Sequence, residues 1–198
     1  MPRVRDPERF QAQRDAILDA AAQEFEAAGY EATTMDAIAA RVGLTKPAIY
    51  YYFEDKEDLL LWTCQRAVDT ALSVLLPEGH ESTDHLADLD RVVTGHLELL
   101  SENLEALTLL FTERRLLTSA KAARLQRSLR ELTHRLEAFI ESGVEVGQFR
   151  PVDPRLTALA ILGMLNSGHR WLRQERRPVA EVAAVFTDLV RSALVARD

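Results

Sequence analysis

The sequence predicts an all-α protein: a small N-terminal three-helix unit with a helix-turn-helix, then a larger helical body. Three observations carry this. Apolar residues recur at helical spacing along most of the chain. No stretch of useful length alternates with period two, as a half-buried strand would. Glycine and proline fall where the periodic segments end.

The elements follow in order. Residues 9–28 place Ile17, Ala20, Ala21, Phe25 and Ala28 on one side of a helix, and Gly29 ends it. In the next segment Met35, Ile38, Ala39 and Val42 share a face, and Gly43 stands where a helix C-terminus wants a residue tolerant of positive φ. Thr33 and Asp36 have capping-box spacing, with Thr34 an equal candidate for the cap. Thr45 is placed to cap the third helix, and Pro47 sits in its first turn, where a missing N–H is no loss. Glu54-Asp55-Lys56 opens a longer helix through Leu72, ended by Pro77 and Gly79. A polar loop, 79–85, precedes helices expected at 86–100, 103–117 and 120–144. The loop 147–154 holds one glycine and two prolines, and two final helices are expected at 155–174 and 179–196.

Bulk properties limit the classes. The chain has 198 residues, 47% hydrophobic and 28% charged, long enough for a real core. No run of 18 apolar residues suggests a membrane span, and the charged first twenty residues do not read as a secretory signal. Cys64 is the sole cysteine, so no intrachain disulfide forms, and a cytoplasmic location is expected. No cofactor-binding loop, zinc-spaced Cys/His set or nucleophile elbow is present, so an enzyme is disfavoured. Glu81 and His85 have i,i+4 spacing but fall in the polar loop, and Cys64 reads as a buried inert thiol.

The net charge of −7 looks wrong for a DNA binder, but local charge decides. Arg3, Arg5, Arg9 and Arg14 against Asp6 and Glu8 make residues 1–14 net +2; Arg41 and Lys46 against Asp36 make residues 33–53 net +1. A helix, a glycine turn and a short polar, aromatic helix is the outline of a DNA reader. Thr45, Lys46 and Ala48 are the base-edge candidates: lysine can donate to guanine O6 and N7, alanine can meet a thymine methyl. Thr34, Tyr50, Tyr51 and Lys56 suit phosphates. Ile38, Ile49 and Phe53 read as core, and one or two of Tyr50, Tyr51 and Tyr52 must turn inward, because successive residues are 100° apart. Arg3 and Arg5 read equally as a tail or as an arm on DNA. A purely protein-binding adaptor is disfavoured, since the 45–52 helix lacks apolar anchors at i, i+3, i+4 and i+7.

The stretch from Asp15 to Leu60 resembles the TetR family of one-component transcriptional regulators. Thr33, Thr34, Ile38, Ala39, Val42, Gly43, Tyr50, Tyr51, Phe53, Lys56 and Leu59 fall where that family's pattern expects them. The resemblance implies a helix-turn-helix DNA-binding domain over 1–56 and an effector-binding and dimerisation domain over 57–198. It also implies a double-stranded DNA operator, a homodimer and a small effector, with the reading residues above in the same roles.

The last two helices are apolar on more than one face. Leu156, Leu159, Ala160, Gly163, Met164 and Trp171 form one stripe; Ile161, Leu162, Leu165 and Leu172 another; Val182, Phe186, Leu189, Val190, Ala193 and Leu194 a third. One face can serve the core and the other a symmetric partner. Residues 147–174 are similar to the C-terminal part of TetR members that respond to acyl-CoA thioesters or related lipid-pathway compounds. Phe111, Arg114, Arg115, Phe139, Met164, Asn166 and Arg170 are unusual polar and aromatic groups within helical stretches and are the effector candidates, each with a structural role as its alternative and with a generic apolar compound as the alternative effector. The helix from Lys56 is expected to be the only covalent link between effector site and reader.

Overall fold

The structure, a computed structural model, describes residues 6–75 and 77–195. Among these the regular elements are all helical: α1 (Pro7–Ala28), α2 (Met35–Arg41), α3 (Lys46–Ile49), α4 (Lys56–Val74), α5 (His85–Glu102), α6 (Leu104–Thr112), α7 (Ser119–Glu145), α8 (Pro154–Asn166) and α9 (Val179–Leu194). Short 3-10 turns at Arg114–Leu116, Ser167–Arg170 and Leu172–Gln174 complete it. The arm residues Arg3 and Arg5, and the expected helix end at Ala196, lie outside the described residues.

The chain divides into two compact units, 1–66 with 105–125, and 67–104 with 126–198. A single cut after Lys56 does not describe this division. The backbone passes between the units three times: within α4, at the start of α6 and within α7. The two units are therefore joined covalently at three points, although the reading helices themselves leave only through the helix from Lys56.

In the first unit, α1 starts two residues earlier than periodicity suggests. Asp6 accepts hydrogen bonds from the Glu8 and Arg9 N–H groups at 3.1 and 3.4 Å, and Pro7 stands at the first helical position. Gly29, at φ +81°, ends it. The cap of α2 is Thr34, whose hydroxyl accepts from the Ala37 N–H at 3.1 Å. Thr33 instead turns inward, with Oγ1 2.8 Å from the Gly29 carbonyl and 3.0 Å from that of Glu24, tying down the end of α1. Gly43, at φ +67°, makes the turn into α3. Ile17, Ala21, Phe25, Ile38, Ile49, Phe53, Leu59 and Leu60 are buried together in this unit. A one-turn helix such as α3 has no independent stability, so its position is set by Ile49 in that core.

In the second unit α5 is central. Leu89, Val93, Leu97 and Leu100 are fully buried, and α5 packs against α9 and α8. Ala158, Ile161 and Leu165 of α8, and Val182, Ala183, Val190 and Leu194 of α9, supply the buried faces. The helix expected over 155–174 is not continuous: α8 stops at Asn166 and two 3-10 turns follow. Ser167 Oγ donates back to the Met164 carbonyl at 2.7 Å, and Gly168 lies so close to α5 that a Cβ would sit 2.6 Å from Leu100 Cδ2. A side chain there would require the end of Leu100 to shift, and it is at this close approach to α5 that the chain passes from α-helix to 3-10 turns.

Candidate nucleic-acid interface

The reading surface is built on α2, the glycine turn and α3. Thr34, Thr45 and Lys46 are exposed, and Ala48 is half-exposed. Tyr50 and Tyr51 are 45% and 50% exposed, large for aromatic side chains. Thr45 stands at the cap position of α3 without a side-chain hydrogen bond to the helix, leaving its hydroxyl to solvent. Tyr52 turns inward and stacks on Phe10 with centroids 5.0 Å apart. Phe10 also meets Tyr51 edge-on at 5.9 Å, so α1 buttresses the tyrosine run. Nothing in the local sequence pointed to Phe10.

The cations of this unit are not equivalent. Arg41 is held against α1 by Glu24, with Nε to Oε1 at 2.7 Å, and by Gln23 at 3.1 Å. Lys46 donates to Asp36 Oδ2 at 2.7 Å, with both side chains more than half exposed. Asp36 raises the lysine pKa through this hydrogen bond and its charge, so the ammonium is protonated at neutral pH. Arg14 is stacked between Phe53 and Trp62, at 5.3 and 4.2 Å.

Lys56 differs most from expectation. Its Nζ donates to the carbonyls of Tyr30, Glu31 and Thr33 at 2.7, 3.0 and 3.0 Å, and lies 4.5 Å above the Tyr30 ring. An ammonium has three donors, and all three are used. With its donors used in this way, Lys56 has a structural role in place of the free cation expected for a phosphate contact: it ties together the carbonyls that converge between α1 and α2. Burial, then the charges of Glu57, Asp55 and Glu31, push the Tyr30 phenol up to about 12, so this ring stays neutral beneath the cation.

A helix-turn-helix whose core-facing residues are buried, and whose polar and aromatic residues stand out together, can enter a major groove. The family described as "Bacterial regulatory proteins, tetR family" matches residues 17–61, and "Tetracyclin repressor-like, C-terminal domain" matches residues 77–194. The chain belongs to the TetR family of transcriptional regulators. It is 28% identical over 174 residues to the HTH-type transcriptional activator FasR of Mycolicibacterium smegmatis, covering 87% of this chain and 77% of that protein. The solved structure of the TetR regulator PfmR from Thermus thermophilus is 30% identical, with a TM-score of 0.79 over 88% of this chain and 96% of that one. AibR, solved in complex with isovaleryl coenzyme A and operator DNA, shares the fold at 24% identity and a TM-score of 0.78, over 89% of this chain and 97% of its own. As a TetR regulator, the chain is a DNA-binding protein related to regulators and not to enzymes.

The effector candidates fall in both units, and those of the second unit do not gather at one place. Phe111, Arg114 and Arg115 belong to the first unit, and both arginines are exposed in the 3-10 turn after α6. The others belong to the second unit but go to different places. Phe139 lines a cavity of about 540 Å³ beneath the 77–82 loop, together with His85, Arg135 and Ser142. Met164 lines an apolar groove between α8 and α9, and Arg170 is exposed. Asn166 Oδ1 faces His96 Nε2 at 2.9 Å. His96 is buried, and burial drives its pKa down to about 4 against the opposing pull of Asn166, so the ring is neutral. Neither His96 nor Trp62 was singled out by sequence as functional. Burial pushes the lone Cys64 thiol up to about 12, consistent with an inert thiol. No group of three or more His, Cys, Asp or Glu able to hold a metal occurs among the described residues. No described helix is long and apolar enough to cross a membrane.

Proposed function

We propose that this TetR regulator acts in the cytoplasm as a homodimeric repressor that binds a palindromic operator and is released by an apolar effector of the acyl-CoA class. The observation that carries the DNA half is the exposed set Thr45, Lys46, Ala48, Tyr50 and Tyr51 on and beside a helix anchored by Ile49. One short helix reads too few base pairs for specificity, so two copies are needed. The surface that suits pairing is the outer side of α8 and α9. Leu156, Leu159, Val185 and Leu189 are each 47–63% exposed there, around a groove of about 350 Å³. FasR is named an activator, so repression here depends on where the operator lies relative to the promoter.

The effector half rests on the similarity of residues 147–174 to lipid-responsive members. AibR, which shares the fold, was solved with isovaleryl coenzyme A. In this reading the buried His96–Asn166 pair meets the polar end of the acyl group within the apolar interior of the second unit. The cavity lined by Glu78, Glu81 and Glu131 against the single Arg135 is net negative, the wrong sign for CoA phosphates. The test is a gel shift with the promoter region beside the protein's own gene, titrated with acyl-CoAs of graded chain length and with free CoA as control. A shift of operator affinity above about tenfold by one chain length is expected, within the usual range of allosteric coupling. If no thioester changes it beyond about twofold, the acyl-CoA assignment falls and a generic apolar effector replaces it.

A further inference from the structure

The ion pair between Asp36 and Lys46 joins two reading elements across the turn. Asp36 lies in the first turn of α2 and Lys46 begins α3, and Nζ is 2.7 Å from Oδ2. Both side chains are solvated, 60% and 52% exposed, so neither is there to complete a core. Exposed pairs of this kind contribute little to stability. A carboxylate on a DNA-facing surface also opposes phosphate binding. Its presence calls for a reason other than folding.

We propose that Asp36 is a specificity-determining residue, acting with Lys46 as one donor–acceptor unit that reads a single G·C base pair in each half-site. In the major groove guanine presents O6 and N7 as acceptors, and cytosine presents the N4 amino group as a donor. O6 and N4 are bonded to each other in the base pair, so they lie one hydrogen bond apart, about 2.9 Å. Lys46 Nζ and Asp36 Oδ2 are also one hydrogen bond apart, with the complementary polarity. Each of the four groups keeps capacity for a second bond: the ammonium has two further N–H donors, the carboxylate has free lone pairs, N4 has a second hydrogen and O6 a second lone pair. Guanine N7 gives the lysine another acceptor, whereas a T·A pair puts the thymine methyl beside its O4. A lone lysine is a point charge that satisfies a phosphate as readily as a guanine. With Asp36 attached, the unit is neutral and loses that indiscriminate attraction. The inference rests on the reading of α3 as the base-contacting helix.

The test uses the full-length protein and a randomised duplex library, followed by titration of the selected duplex, its single-base variants and a random-sequence duplex of equal length. The parent should prefer G·C at one position per half-site by about tenfold or more, typical of a good base contact. Asp36→Asn should reduce that preference below about threefold while leaving the other positions unchanged. It should also tighten binding to the random duplex by about threefold per chain, the effect of removing one charge roughly 6 Å from a phosphate in water. Asp36→Glu should restore part of the preference. Lys46→Ala should flatten the same position, and the double variant should match Lys46→Ala. Thermal unfolding of Asp36→Asn within about 2 °C of the parent would exclude a folding effect, given how little exposed pairs stabilise. If Asp36→Asn keeps the parental profile while Lys46→Ala flattens one position, Asp36 is only a solvated carboxylate and the proposal fails. If the parent selects no duplex at all, the fault lies with the DNA-reading assignment itself.

Discussion

Lys56→Met separates two roles that sequence cannot distinguish. Methionine keeps the apolar stem and removes the ammonium. What is lost is a set of three charge-assisted hydrogen bonds, at 2.7, 3.0 and 3.0 Å, and a cation held 4.5 Å over Tyr30. Hydrogen bonds to a charged group contribute about 1.5–3 kcal/mol each, and an exposed cation–π contact about 0.5–1 kcal/mol. These do not simply add. The Glu31 carbonyl is exposed and regains water, while those of Tyr30 and Thr33 are partly buried and are left short of a partner. A net loss of about 2–4 kcal/mol follows. For a chain of this size each kcal/mol moves the unfolding midpoint by about 2–4 °C, so Tm should fall by about 5–15 °C.

The assay pairs thermal unfolding at fixed protein concentration with operator binding measured across a salt series below the lowered Tm. A lysine that neutralises a phosphate contributes about 0.9 to the slope of log K against log salt. A lysine whose donors all go to carbonyls contributes none. The expected result is a large drop in Tm with an unchanged salt slope. A Tm within about 2 °C of the parent, together with a slope reduced by about one per chain, would refute the structural role and restore the phosphate contact.

Gly143→Ala would place a methyl 2.5 Å from Cε2 of Phe149, a ring packed edge-on against His85 and Phe139, and should cost about 1–3 kcal/mol in urea unfolding. Burial would raise the Asp88 carboxyl, but the His80 contact and the hydrogen bonds from Arg91 outweigh it and hold the pKa down to about 2. Its stabilisation is therefore present above about pH 4 and lost as pH falls through about 2; allowing for partial solvation, about 1–2 kcal/mol should disappear, and Asp88→Asn should lack that part of the acid sensitivity. Leu189→Glu, at a site 52% exposed on α9, should turn a dimer into a monomer by sedimentation while the helical circular dichroism stays the same. Monomeric parent protein at micromolar concentration would remove the pairing proposal outright.

The sequence announced its helices because apolar period and glycine turns are local properties, and Gly29 and Gly43 do adopt positive φ as their positions require. What it concealed was long-range. The helix drawn through 155–174 looked continuous because Ser167 and Gly168 interrupt neither its apolar stripe nor its length; the break falls where Gly168 packs closely on Leu100, far away in sequence. Lys56 looked like a free cation because the carbonyls it serves lie 23 to 26 residues earlier. Arg114 and Arg115 seemed to belong with Arg170 because all sit among apolar helices, yet which unit claims a helix depends on tertiary packing. The reading residues were legible for the opposite reason: exposure of Thr45, Lys46, Tyr50 and Tyr51 follows from one local fact, that Ile49 points into the core.

The three crossings between the units change how an effector signal reaches the reader. With α4 as a single link, the reading helices could tilt about one pivot. Here α7 is also shared, and its first turns are fastened within the first unit. Lys121 donates to Asp55 at 2.9 Å and lies 3.8 Å from Glu57, and the Glu57 carboxylate accepts from the Thr118 N–H. Arg124 covers one contact of the Trp62 ring at 4.1 Å while Arg14 stacks on it at 4.2 Å, so a single indole joins α7 to both α4 and α1. Desolvation of Lys121 opposes its charge, but Asp55 and Glu57 prevail and raise its pKa, so the clamp is charged at neutral pH. Under the proposed effector mechanism, a shift of α7 in the second unit is delivered at Asp55, directly before α4 and close in sequence to the tyrosines of the reader. Lys121→Ala with Arg124→Ala should therefore leave operator affinity without effector nearly unchanged and lower the effector's influence on it, a coupling energy of about 1–3 kcal/mol being the most there is to lose. In a Trp171→Phe background, where Trp62 is the remaining indole, its fluorescence reports whether the clamp has opened. Undiminished coupling in a variant whose Trp62 emission shows the indole uncovered would assign the whole transmission to α4.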